Sequence, residues 1–138
     1  FLKHLRPDIE IVGLCLSGTV RDRAWPEIAQ AMAEAIRELG RPVLIVASSD
    51  FSHEDSLQVT EENDRYILKP ILRLDEQQLA ERIEERQVTM CGFGPVIVAM
   101  IAAKHLGASQ ATLLRYATSA DVTGESDYVV GYAGVLME

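Results

Sequence analysis

The sequence predicts an α/β fold, a mixed sheet with helices on both faces. Three observations lead there. Residues 43–47 (VLIVA) run apolar without alternation, as a central strand covered on both faces does. Residues 24–39 space Trp25, Ile28, Met32, Ile36 and Leu39 three or four apart, which makes one stripe on a 3.6-residue helix. A further apolar run, 9–16, precedes both, so strand, helix and buried strand compose a βαβ unit with parallel pairing.

Each element has its local reason. The run 9–16 follows Pro7 and is ended by Ser17 and Gly18. The helix over 24–39 stops at Gly40, and Pro42 prevents its continuation. The middle of the chain reads as helical, with Thr60 as a candidate N-cap and Pro70 expected to kink or split the helix. Asp75 followed by Gln78 resembles a capping box, ahead of a helix whose buried seam is Leu79 and Ile83. After Cys91-Gly92-Phe93-Gly94, Pro95 suits a first helical turn, and this helix runs to Leu106 before Gly107. It is apolar nearly all round and should be buried. Thr112, Leu114 and Tyr116 alternate in a strand, and 128–137 form the last strand beyond the polar loop 118–124. No repeat or linker divides residues 1–138, which read as one domain or most of one.

Composition excludes several classes. The 138 residues are 48% hydrophobic and 25% charged, which rules out intrinsic disorder. A chain of this size buries roughly 68–70% of its unfolded surface. The net charge of −8 speaks against an electrostatically driven nucleic-acid binder. The longest apolar run, 96–103, is far shorter than the ~20 residues that span a bilayer. Cys15 and Cys91 form no CxxC pair and no secretory signal is visible, which together point to a reducing, cytoplasmic setting. Residues 50–86 hold 11 Asp/Glu against 5 Lys/Arg, and this acidity reads as the solvated face of helices. The opening Phe1-Leu2-Lys3-His4-Leu5 lacks Met and reads as the end of an element already under way.

Chemistry concentrates in two places. Open α/β sheets bind ligands at the carboxyl ends of their strands, and Ser48-Ser49-Asp50-Phe51-Ser52-His53 follows the most buried strand. Asp50 and His53 could share a hydrogen bond that fixes the imidazole tautomer, as a general base or metal ligand requires. The plainer alternative is a polar turn in which Asp50 and the serines satisfy backbone N–H groups. Cys91 precedes a Gly-rich helix entry, where free N–H groups and the helix dipole stabilise a thiolate, either nucleophile or ligand. Its alternative is a small buried residue at a tight turn. Cys15, inside an apolar run, reads as structural, and His105 as a cap on the last helical turn. A thiol catalyst built from Cys91 and His53 is a further reading of the same residues.

The strings VLIVASSDFSH, MCGFGP and YATSADVTGESDYVVGYAG, in this order and spacing, resemble the Memo-like family. In bacteria and archaea that family is called AmmeMemoRadiSam system protein B, and its fold is related to class III extradiol dioxygenases. The resemblance implies that residues 1–138 are the C-terminal part of a larger domain whose N-terminal half is missing here. It implies a non-haem iron or copper pocket with Cys91 as metal ligand and His53 and Asp50 as the catalytic pair. Two histidine ligands would come from the missing half. It implies either a redox or dioxygenase-related role, or an inactive binding module acting with a radical-SAM partner system. Two departures stand out: Glu54 replaces an aromatic after His53, and Pro70 interrupts a stretch that is usually continuous helix.

Overall fold

The stripe at 24–39 folds with those bounds. In the computed structural model, which describes residues 1–138, a single exposed turn, α1 (Leu2–Leu5), precedes α2 (Ala24–Leu39). Trp25, Ala29 and Ala33 are buried on one face of α2, and Gly40 closes it in the left-handed region at φ 63°. That conformation is cheap only for glycine.

A two-residue strand, β1 (His53–Glu54), leads into α3 (Leu57–Leu72). The N-cap is Ser56 rather than Thr60; the Ser56 hydroxyl accepts the Val59 N–H at 3.2 Å. Thr60 is buried one turn on, donating to the Ser56 and Val129 carbonyls. Pro70 neither splits nor ends the helix, because it sits in the last turn and its missing bond is replaced. Pro70 has no N–H for the Tyr66 carbonyl, and Arg82 donates to that carbonyl at 2.5 Å instead. Arg82 and Arg86 also lie 4.4 and 4.0 Å from the Tyr66 ring centroid.

Of the expected capping box only the N-cap half forms, because the Asp75 N–H is taken by the Pro70 carbonyl at 3.0 Å and the Gln78 side-chain oxygen has no partner. Asp75 accepts the Gln78 N–H at 2.9 Å and starts α4 (Glu76–Arg86), which buries Leu79, Ala80 and Ile83. Next, α5 (Phe93–His105) is buried over most of its length and packs against α2. Gly94 lets the helices meet there: a Cβ would come 3.1 Å from the Trp25 ring. Burying Val96, Ile97, Val98, Met100 and Ile101 contributes roughly 1.5–3 kcal/mol for each side chain. The chain ends in β2 (Ala111–Thr118), the short α6 (Ala120–Thr123) and β3 (Val129–Met137).

The fold is α/β, and its paired strands form an antiparallel sheet in the order β1-β3-β2. His53 faces Val130, Tyr116 faces Ala133, and a bulge interrupts β2 between Leu113 and Arg115. The parallel pair expected between 9–16 and 43–47 does not form. Residues 43–47 make no backbone hydrogen bond, nor do 10–16. A strand exists only by virtue of a neighbour, and neither segment has one. Val43, Leu44 and Val46 are therefore exposed rather than covered, as are Ile11, Val12 and Leu14. The core lies between α2, α3, α4 and α5.

Candidate functional site

Past residues 43–47 the chain turns and joins the sheet. Phe51 donates its N–H to the Gly131 carbonyl at 2.9 Å, and Gly131 donates to Ser52 at 3.0 Å. Opposite this turn, residues 89–92 enter α5. Two side chains stitch the segments together. Thr89 Oγ1 accepts the His53 N–H at 2.7 Å, and Ser49 Oγ accepts the Gly92 N–H at 2.8 Å. Gly92 is needed for this approach, since a Cβ there would lie 2.5 Å from Ser49 Cβ.

These contacts bring together the three residues singled out from the sequence. One ligand atom each from Asp50, His53 and Cys91 lies within 4.8 Å of the others. Cys91 stands just before Gly92, the N-cap of α5, with its side chain exposed. The Asp50 N–H donates to Cys91 Sγ at 3.3 Å. His53 Nε2 is 3.6 Å from Asp50 Oδ2, an ion-pair separation but too long for the shared hydrogen bond the sequence suggests. Nε2 is buried and has no hydrogen-bond partner. A thiol, an imidazole and a carboxylate around an unsatisfied ring nitrogen fit a transition-metal ion. Glu54 borders the group, its carboxylate accepting from Asn63 at 3.2 Å and Thr89 at 3.4 Å, so that wall is polar.

Behind His53 stands a residue that sequence reasoning missed. Asp64 is fully buried in α3. It accepts the Ser52 N–H at 2.9 Å and the Tyr116 hydroxyl at 2.7 Å. Burial pushes the Asp64 carboxyl above its ordinary range, against these hydrogen bonds, which pull it down. Burial and the carboxylate likewise push the Tyr116 hydroxyl up. Gly131 makes room, since a Cβ there would fall 1.7 Å from Asp64 Oδ2. Asp64 thus pins the backbone one residue before His53, while Thr89 holds His53 itself. A signal was present: Asp64, Ile67, Leu68 and Ile71 share one helical stripe, and an acid on an apolar stripe demands partners.

The other candidates lie elsewhere. Cys15 is exposed rather than packed, because the segment around it has no strand to join. His105 is exposed in the last turn of α5, where its carbonyl, not its ring, is engaged, by Arg37. His4 lies in exposed α1. The acidic residues of 50–86 are solvent-facing or partly so, apart from Asp64. No helix is long and apolar enough to cross a membrane.

Comparison with known proteins gives a consistent result. The model of a family described as Memo-like protein matches residues 1–136. A MEMO1 family protein of Methanothermobacter thermautotrophicus is 46% identical over 133 residues, covering 96% of this chain and 48% of its own. One from Methanocaldococcus jannaschii is 38% identical over 142 residues, covering 100% of this chain and 49% of its own. One from Pyrobaculum aerophilum is 37% identical, covering 99% and 48%. The chain spans about half the length of these curated relatives.

Proposed function

The chain belongs to the Memo-like family, and from that premise we propose that it supplies one side of a non-haem iron or copper pocket with a redox or dioxygenase-related role. The observation that carries this reading is the convergence of Asp50, His53 and Cys91 on one point beside an unpartnered imidazole nitrogen. Cys91 is the metal-holding residue, its sulfur oriented by the Asp50 N–H. A bound iron or copper supplies redox and Lewis-acid chemistry. His53 Nε2, which no protein group engages, is free to give or take a proton at a ligand, with the Asp50 carboxylate 3.6 Å away. Ser49, Thr89 and Asp64 keep these groups in place through the backbone. Two free cysteines accord with a cytoplasmic setting.

The test compares iron and copper content of the wild type and Cys91→Ser, in this chain and in the longer protein. Losing a thiolate ligand should lower occupancy at least about tenfold, a loss that outer-shell changes alone already reach. Unchanged occupancy overturns the ligand assignment. Metal binding without oxygen uptake on any catechol favours instead a binding module that works with a radical-SAM partner.

A further inference from the structure

The two sides of α3 carry different chemistry. Asp64, Ile67, Leu68 and Ile71 face the core, and on the opposite side Glu62, Arg65, Tyr66 and Lys69 recur at the same helical spacing. Across from this outer stripe, α4 presents Arg82 and Arg86 one turn apart. Their guanidinium carbons lie 4.4 and 4.0 Å from the Tyr66 ring centroid. Glu62, Arg65, Tyr66, Lys69 and Arg86 line an open pocket of about 310 Å³. The acids around it are engaged: Glu61 pairs with Arg65 at 2.6 Å, Glu62 accepts from Gln58 at 2.9 Å, and Glu85 accepts the Tyr66 hydroxyl at 2.6 Å. Lys69 and Arg86, by contrast, join none of the ion pairs of this acidic chain. The only hydrogen bond of the Arg86 guanidinium is a 3.5 Å contact with Asn63. A place in the last turn of α3 or α4 accounts for each cation singly, since both lie near exposed carbonyls. It does not account for their convergence on one pocket.

The charge of the lining selects the ligand. Three cations face one carboxylate there, an excess of two positive charges in a protein of net charge −8. A carboxylate ligand would balance only half of that excess. A phosphoryl group carries a charge of about −1.5 to −2 at neutral pH and offers three strong acceptor oxygens. The Arg86 fork matches two of those oxygens, and the Lys69 ammonium serves the group as a point charge. Because Arg86 already rests on the Tyr66 ring, less side-chain freedom is lost when the anion arrives. A nucleic-acid backbone asks for a longer track of cations, and these span one turn of each helix. We propose that the pocket of Tyr66, Lys69 and Arg86 binds a phosphoryl dianion, either free phosphate or a small phosphate monoester. It shares no residue with the Asp50, His53 and Cys91 group and does not rest on the metal reading.

The test titrates the protein, freed of metal beforehand, with inorganic phosphate, with glycerol phosphate and with acetate, at one low ionic strength of about 0.02 M. Amide chemical shifts of residues 62–69 and of Arg86 report binding. Inorganic phosphate should saturate them with a Kd on the order of 1 mM, and acetate should bind at least about tenfold more weakly. Lys69→Gln, which breaks no contact within the protein, should weaken phosphate by about tenfold or more, and so should Arg86→Gln. Arg86→Lys keeps the charge without the fork and should fall between the wild type and Arg86→Gln. Tighter binding of glycerol phosphate than of phosphate assigns the pocket to an ester, and equal or weaker binding assigns it to the free ion. Shifts that do not saturate overturn the proposal, as does acetate binding as tightly as phosphate. So does phosphate binding that Lys69→Gln and Arg86→Gln leave unchanged, which would place the anion elsewhere.

Discussion

Replacing Tyr116 by Phe removes one oxygen atom and exposes the energetics of the Asp64 carboxylate. In the wild type that buried carboxylate accepts from Ser52 and from the Tyr116 hydroxyl at 2.7 Å. A hydrogen bond to a charged group is worth about 1.5–3 kcal/mol, and one to a neutral group about 0.5–1.5 kcal/mol. With the ring left in place, Tyr116→Phe should therefore destabilise the fold by about 2 kcal/mol while Asp64 is ionised. The sign of the pH dependence follows. The folded Asp64 value already lies above its unfolded one, and loss of a donor raises it further. The deficit is complete above the variant's folded value and shrinks as pH falls through the raised range, down to what a neutral bond leaves. Urea unfolding of both proteins across a pH series, from the alkaline plateau of the deficit down to its acid plateau, measures this, with an expected difference of about 1 kcal/mol between the two plateaus. A deficit that stays constant across the whole series would falsify the account, since it would mean that the hydroxyl does not serve an ionised carboxylate.

Two further outcomes follow from contacts already described. Arg82→Ala leaves the Tyr66 carbonyl without a donor beside Pro70, so it should lower unfolding free energy by about 1.5–3 kcal/mol; a loss under about 0.5 kcal/mol in urea titration would show that water replaces the guanidinium freely. Gly131→Ala forces a methyl against Asp64 and should destabilise by more than about 2 kcal/mol, whereas Gly134→Ala, whose Cβ meets only Leu114 at 3.9 Å, should cost far less; equal melting temperatures would refute the close approach.

Legibility in the sequence tracked how local each cause was. The bounds of α2, the Asp75 cap and the buried seam of Leu79 and Ile83 were readable because propensity, capping and stripe act within one helix. Local chemistry singled out the Asp50–His53 loop and Cys91 separately, only the family resemblance implied that they share a site, and the structure places them together. What periodicity misjudged was pairing. Residues 9–16 and 43–47 carry strand composition, yet composition cannot provide a neighbour, so neither enters a ladder. The expected split at Pro70 does not occur for a related reason: the donor that replaces its missing N–H comes from Arg82, twelve residues later and in another helix. Asp64 was legible in principle, as an acid on an apolar stripe, but its partners Ser52, Tyr116 and Gly131 meet only in three dimensions.

The Pro70 exchange has a consequence for how the molecule comes together. A helix that borrows a donor from its neighbour cannot finish its last turn until that neighbour arrives. The end of α3 and the body of α4 are thus coupled by a side chain as well as by the backbone bonds of the turn between them. A fluctuation that lifts Arg82 frees the Tyr66 carbonyl at the same moment, so loosening of α4 loosens the end of α3 with it.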